Sequence, residues 1–359
     1  MRVVVAPDKF RGTATAQQAT AAMAEALRNL GHVVTEVPLA DGGEGLLSVL
    51  GGANRRTMVT GPLGDPVEAE WRLSSRTTSR RAPTRKSADS AAVPKKRTAV
   101  IEMAAASGLE LVGGAEGNDP IAASTTGTGE LILEAFDAGA ERIIIGLGGS
   151  ATTDGGLGAL RSLYPLERLI GVELVVACDV RTRFTDAATV FGPQKGATAA
   201  QVELLRRRLE RLAQLYLERH DVDVRELVGA GAAGGLAGGL VAAGATLISG
   251  FDLVADEAEL DVMIAEADLV ITGEGFVDAQ SFEGKVVGGV LEMARDTRTP
   301  ALVVAGQVLD DVIVSPNGQA GHLEDGTPAI SLLQTCGQRS FDDTLCCLQE
   351  VIAANVGPA

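Results

Sequence analysis

An α/β protein built on a parallel sheet is predicted from three observations. The chain opens with a β-α-β pattern, most of its other apolar, β-branched runs end directly in Gly or Asp, and aromatic residues make up only 3% of a sequence that is 46% hydrophobic. The low aromatic content leaves Ala, Val, Leu and Ile to build the core, as in sheets whose strands are buried on both faces. With 359 residues the chain has room for two domains or one large α/β unit.

Taken in order, RVVVA (Arg2 to Ala6) reads as a buried first strand. The segment from Thr13 to Gly31 reads as a helix with Thr13 or Thr15 at its cap and Gly31 at its end. The run from His32 to Leu39 returns as a second strand, which implies a right-handed crossover. Further strands are expected at Val100 to Met103, Arg142 to Ile145, Val172 to Ala177, Leu269 to Thr272 and Ala301 to Ala305. Ligands of open parallel sheets sit beyond the carboxyl ends of the strands, so the loops that follow these runs are expected to carry function. From Ala199 to Arg219 the spacing predicts a helix, with Val202, Leu205, Leu209, Leu212 and Tyr216 on one stripe. Arg206, Arg207, Arg208 and Arg211 fall mostly outside that stripe and read as a solvated face. The segment from Ser75 to Arg97 contains eight Lys or Arg and no apolar residue larger than one valine, so it is expected to form a flexible basic loop.

Composition narrows the function classes. A net charge of -16 repels polyanions and argues against nucleic-acid or anionic-membrane partners. An anionic substrate must therefore meet local cations, backbone N–H groups or a divalent ion. The four cysteines show no C-x-x-C spacing and only three histidines occur, which disfavours a structural zinc site. The N-terminal apolar run is too short for a signal peptide, and the default expectation is a cytoplasmic enzyme with reduced thiols.

Several loops carry residue types suited to phosphate, metal or carboxylate chemistry. APDKFRG (Ala6 to Gly12) leaves the first strand with an acid, two cations and a glycine, then enters a helix whose first N–H groups favour an anion. LADGGEG (Leu39 to Gly45) sets Asp41 and Glu44 on a glycine-rich turn, a pairing that suits magnesium or a general base and is also an ordinary turn signal. STTGTGE (Ser124 to Glu130) is either an anion cradle at a helix start or a capping sequence. FGPQKGA (Phe191 to Ala197) displays Lys195 in a rigid turn, and the glycine-rich Gly229 to Leu240 allows close backbone approach to a ligand or to a neighbouring element. In the stretch Ala267 to Val290 a strand ends in G-E-G, followed by Asp278, Ser281 and Lys285. The P-loop form fails there because Ala279 and Val286 occupy required positions.

GLGGSATTDGG (Gly146 to Gly156) matches the dinucleotide fingerprint G-x-G-x-x-[GA] and nearly matches a G-L-G-S-S-A kinase loop. A nicotinamide enzyme should place this fingerprint near the first β-α-β and an acid about twenty residues on. Here the N-terminal unit lacks it, and the next strand ends at Asp179, about thirty residues later.

In order, APDKFRG, PLADGGEG, TGPLGDPVEA, IEMAAASGLEL, STTGTGEL, IGLGGSATTDGG, VACDV, VFGPQKGA, GAGAAGGL, LVITGEG with the D, Q, S and GK that follow, and AGQ resemble the bacterial glycerate kinase family, a two-domain type distinct from GHMP and P-loop kinases. The resemblance spans nearly the whole chain. It implies transfer of the ATP γ-phosphoryl group, with Mg²⁺, to D-glycerate, giving 2- or 3-phosphoglycerate. It also implies a flavodoxin-like α/β domain made from both chain ends, residues 1–62 and 260–359, with a second α/β domain inserted at 63–259 and both substrates in the cleft between them.

As what the resemblance implies for roles, Asp154 or Asp278 is the general base, with Asp179 and Glu274 behind them, and Lys195 and Lys285 neutralise phosphate. Asp8, Lys9, Arg11, Asp41, Gly42, Gly43, Glu44 and Ser107 are expected at the glycerate. Thr126, Gly127, Thr128, Gly129, Gly148, Gly149, Ser150, Gly273 and Glu274 are expected at the nucleotide, and Glu102 and Asp179 at the metal. Monomer and homodimer are equally compatible with the sequence. Three departures stand out: the extra residues Ser75 to Arg97, the short connection Arg161 to Gly171, and Phe276 where many members are polar. A weakened homologue that only binds metabolites, or less readily a dehydrogenase, is the competing expectation.

Overall fold

The computed structural model describes residues 1–10, 12–74, 96–282, 285–309, 321–323 and 326–359. Arg11 and most of the expected basic loop (75–95) lie outside the described residues. The strands up to the middle of the chain are β1 (Arg2–Val5), β2 (Val33–Glu36), β3 (Arg55–Thr60), β4 (Pro66–Leu73), β5 (Thr98–Glu102), β6 (Arg142–Gly146), β7 (Glu173–Ala177) and β8 (Thr246–Ile248). They are followed by β9 (Leu269–Thr272), β10 (Phe276–Val277), β11 (Ala301–Ala305), β12 (Gln307–Val308), β13 (Gly321–His322) and β14 (Pro328–Ser331).

Two compact units form, one from Met1–Leu50 with Ser249–Ala359 and one from Gly51–Ile248. The expected boundaries at 62/63 and 259/260 shift for physical reasons. β3 pairs antiparallel with β4 along its whole length, which ties residues 55–60 to the insert. Gly250 packs against the Asp41–Gly42 backbone, where an added Cβ would lie 2.2 Å from the Asp41 carbonyl oxygen, so the helix Gly250–Ala258 belongs with the chain ends.

In the chain-end unit the sheet runs β13-β14-β11-β9-β1-β2, parallel throughout except at β13. Omitting that edge strand and counting along the chain, the order is 2-1-3-4-5, the flavodoxin-like arrangement, with its switch point between β1 and β9. One face buries Val3, Val5, Ile271 and Val304 under Met23, Leu27, Leu348 and Ile352. The other buries Val303, Ala305 and Ala329 under Val287 and Leu291. The helix over the first face is Ala16–Asn29, started by a capping box in which the Thr15 hydroxyl accepts from the Gln18 N–H and the Gln18 side chain accepts from the Thr15 N–H.

In the inserted unit the order is β3-β4-β5-β6-β7-β8, antiparallel from β3 to β5 and parallel from β5 to β8. Ile143, Ile144 and Ile145 are fully buried, the two-sided burial that a continuous apolar run in a central parallel strand requires. The helix Ala199–His220 buries Leu205, Leu209, Leu212 and Tyr216 against Phe184 as the stripe predicted, while Val202 is half-buried. No helix among the described residues is long and apolar enough to cross a membrane.

Candidate active site

At the switch point of the chain-end unit the carboxyl ends of β1 and β9 release Asp8 and Lys9 beside Gly273 and Glu274. The Asp8 N–H donates to the Gly273 carbonyl at 2.8 Å, and the Gly275 N–H to the Lys9 carbonyl at 3.3 Å. The Leu39 N–H reaches the Pro7 carbonyl at 2.9 Å, which brings in the loop Asp41 to Glu44. Lys9 Nζ then donates to the Glu44 carbonyl at 3.0 Å and stands 3.9 Å from Asp41 Oδ1. Asp8, Lys9, Asp41, Gly42, Gly43, Glu44, Gly273 and Glu274 thus converge, as the positions of their loops after parallel strands led us to expect. A cavity of about 360 Å³ opens beside them, lined by Asp8, Lys9, Thr13, Thr15, Gln18 and Glu44 among others.

Asp8 is the chemically distinctive member. It is only 6% exposed, and burial, reinforced by the neighbouring Asp41, pushes its carboxyl up to about 7 although the Lys9 N–H donates to Oδ1 at 2.7 Å. Burial also raises Glu274, against the opposing pull of Ser281 and Lys285, and its Oε1 is buried without a hydrogen-bond partner. Asp278 is engaged in a local turn, accepting from the Ser281 N–H at 3.1 Å while its own N–H donates to Ser281 Oγ at 3.2 Å. Lys285 is the N-terminal flanking residue of the helix Val286–Thr297.

In the inserted unit the loops after β5 and β6 are laced together. The Leu109 N–H donates to the Gly149 carbonyl at 2.8 Å and the Ala151 N–H to the Ser107 carbonyl at 3.0 Å. The Ser107 and Thr128 hydroxyls are buried and bonded to each other at 2.8 Å. Asp154 holds this assembly from within. Its Oδ2 accepts from the Thr125 N–H at 2.9 Å, the Thr125 hydroxyl at 2.8 Å, the Gly158 N–H at 3.1 Å and the Ser124 hydroxyl at 3.5 Å, and its Oδ1 from the Gly156 N–H at 3.1 Å. The helices Thr126–Asp137 and Leu157–Leu163 therefore share one carboxylate at their starts, where unpaired N–H groups favour negative charge.

At the start of the helix Thr126–Asp137 the chain's own Asp154 is bonded to Thr125, and Gly127 and Gly129 face packed backbone. An added Cβ would lie 2.0 Å from the Thr60 carbonyl oxygen at Gly127 and 2.5 Å from that of Ala159 at Gly129. Gly148 is half-buried and Gly149 exposed.

Lys195 is also enclosed. It is 3% exposed and donates to Ser150 Oγ at 2.7 Å and the Thr152 carbonyl at 2.6 Å, and burial brings its ammonium down to about 7. It braces the Ser150 to Thr152 loop instead of projecting toward solvent. The glycine-rich segment 229–240 closes on a neighbouring element: at Gly234 an added Cβ would lie 2.0 Å from the Thr152 carbonyl oxygen, and the Tyr216 hydroxyl donates to the Gly155 carbonyl at 2.8 Å.

The expected metal pair lies at the carboxyl end of the inserted sheet. Glu102 ends β5 and Asp179 follows β7, with β6 between them, a separation of two strand spacings or roughly 10 Å. Among the described residues no group of three or more His, Cys, Asp or Glu side chains is placed to hold a metal ion.

Sequence reasoning undervalued Asp8, whose burial and raised proton affinity it did not foresee, and Ser124 and Thr125 as neighbours of Asp154. The signal for the first was its place directly after the opening strand. The Ser124 and Thr125 hydroxyls stood in quoted motifs, but their partner Asp154 is distant in sequence.

The glycerate kinase family model matches residues 3–164 and 165–324. The chain is 38% identical over 350 residues to glycerate 2-kinase of Escherichia coli K12, covering 87% of each chain. It is 38% identical over 349 residues to glycerate kinase of Bacillus subtilis 168, covering 87% of this chain and 86% of that one. A crystal structure of a Salmonella typhimurium LT2 protein provisionally named glycerate kinase 2 superposes with a TM-score of 0.77 at 34% identity, over 99% of this chain and 96% of the other.

Proposed function

Since the chain belongs to the glycerate kinase family, we propose that it transfers the γ-phosphoryl group of ATP to a hydroxyl of D-glycerate, giving ADP and 2-phosphoglycerate or 3-phosphoglycerate. The observation that carries the mechanism is the buried Asp8 carboxyl, held near 7 at the switch point of a flavodoxin-like sheet. A base with that proton affinity is balanced for work at neutral pH. In its ionised form Asp8 takes the proton of the glycerate hydroxyl as that oxygen attacks the γ-phosphorus. The P–O bond to ADP breaks as the new one forms, and charge on the transferring oxygens is met by positioned cations.

Lys9, held by the Glu44 carbonyl, is the cation for the glycerate carboxylate. Lys285, at the start of the helix Val286–Thr297, is a cation for the phosphate. Asp154 is assigned the role of anchoring the inserted unit's loops, because its oxygens are engaged by donors from two helix starts. Magnesium enters as part of the nucleotide substrate, MgATP, whose phosphates supply most of its ligands.

A coupled assay with ATP, Mg²⁺ and D-glycerate tests the reading, and ³¹P NMR of the product identifies the phosphorylated hydroxyl. Glycerate-dependent ADP release is the expected result. Glycerate binding without ADP release would leave a metabolite binder, and oxidation dependent on a nicotinamide would replace the kinase with a dehydrogenase.

A further inference from the structure

We propose that the inserted unit carries an adenine-nucleotide pocket between the helix Ala199–His220 and the segment 120–124, beside the glycine loops and not within them. The inference rests on the reading that ATP is a substrate, and it names where the nucleotide is held. The cavity measures about 680 Å³, a size that suits a nucleotide. Its walls are largely aliphatic, with Ile121, Leu157, Leu204, Leu209 and Leu212 facing the space.

Four guanidinium groups, of Arg161, Arg207, Arg208 and Arg211, stand around this apolar slot. Arg207 is committed to Glu203 at 2.7 Å. Among the described residues Arg208 donates to the Ile121 carbonyl at 3.1 Å and Arg211 to Gln214 Oε1 at 2.8 Å, both neutral partners. Among the described residues neither these two nor Arg161 forms an ion pair. Three guanidinium groups without carboxylate partners, gathered at one cavity of a chain with net charge -16, make a local reversal of the field. Guanidinium is the side chain best matched to phosphate oxygens.

The polar end of the slot presents Ser124, Thr126, Asp154 and Thr153, and Thr153 Oγ1 is buried with no hydrogen-bond partner. A bare phosphate or a small carboxylate would leave the aliphatic walls uncovered. A purine covers them with its flat faces while its phosphates meet the arginines. At Gly127 and Gly129 of the alternative cradle an added Cβ would meet the Thr60 and Ala159 backbone, so those two positions face packed protein.

The test uses the full chain with Arg208→Ala and Arg211→Ala combined, both exposed positions, and with Arg211→Lys as the conservative variant. Calorimetric titration with MgADP and steady-state kinetics are read together with thermal melting. The Kd for MgADP is expected to rise at least about tenfold in the double variant, as loss of charge-assisted contacts to phosphate predicts. The KM for ATP should rise in parallel, glycerate KM and melting temperature should stay unchanged, and Arg211→Lys should recover part of the affinity. A raised Kd with an unmoved ATP KM overturns the assignment, because the nucleotide held there is then not the substrate. Unchanged MgADP affinity in the double variant overturns the pocket even where the parent phosphorylates glycerate. A parent that binds MgADP through these arginines yet does not phosphorylate glycerate overturns the functional reading and leaves the pocket standing.

Discussion

Replacing Asp154 by Asn separates an anchoring carboxylate from a catalytic one. The parent oxygen Oδ2 receives hydrogen bonds from Ser124, Thr125 and Gly158, and Oδ1 from Gly156. In Asp154→Asn the amide oxygen can take over the Oδ2 position, so those bonds persist without charge assistance. The amide NH2 then faces the Gly156 N–H, and that bond is lost. Loss of the Gly156 bond to a charged acceptor costs ~1.5–3 kcal/mol by itself and weakening of the others adds to it, so the variant should lose at least about 2–4 kcal/mol. In Asp154→Ala every donor loses its acceptor, and the loss should exceed that of Asn by a further ~2 kcal/mol. For a unit of this size the Asn change corresponds to a melting shift of roughly 5–15 °C. Urea unfolding followed by circular dichroism measures it, and kinetics below the transition give kcat and glycerate KM for the folded fraction. The anchoring account expects that fraction to keep kcat within about tenfold of the parent. Unaltered stability combined with a kcat lower by orders of magnitude would refute it and return Asp154 to the chemistry.

Asp8→Asn should lower kcat by ~10²–10⁴, the range of a lost general base, and in the parent kcat/KM should rise with pH through about 7 as Asp8 ionises. Folded Asp8 keeps its proton up to about 7 while the unfolded one releases it near 3.8, so the folded state binds more protons within that window and stability falls as pH rises across it. Asp8→Asn removes this penalty and should melt above the parent in mildly alkaline buffer; a lower melting temperature there would contradict the account. Lys195 has the opposite slope: folded it titrates near 7 and unfolded near 10.5, so the unfolded state binds more protons in between and stability rises with pH across that range. Lys195→Met should flatten this rise, as urea titrations below and above the window would read. Gly129→Ala would set its Cβ 2.5 Å from the Ala159 carbonyl oxygen and should cost ~1–3 kcal/mol by overpacking, with MgADP affinity kept in the folded fraction; a selective loss of nucleotide affinity without destabilisation would restore the cradle.

Local pattern was enough to make the α/β framework legible. β9 and β11 match their predicted limits because a short β-branched run bounded by Gly or Pro has one stable use beside a parallel neighbour. The cap at Thr15 and the buried stripe of the helix Ala199–His220 were equally readable, since both depend on residues three or four apart. Ordered motifs also placed Asp8, Lys9, Asp41 and Glu274 in loops that the sheet brings together. What surrounds each candidate residue was decided largely by partners distant in sequence. Asp154 looked like a free acid until Ser124 and Thr125 closed around it, and Lys195 looked like a presented cation until Ser150 and Thr152 buried it. Asp8 looked like one more turn aspartate until burial beside Asp41 raised its proton affinity, and the arginines of the long helix looked merely solvated until Ile121 and Leu157 supplied the other wall of their cavity. Periodicity and capping are short-range and are written in the sequence; desolvation and hydrogen-bond saturation depend on what the chain folds against each group, and only the tertiary structure decides that.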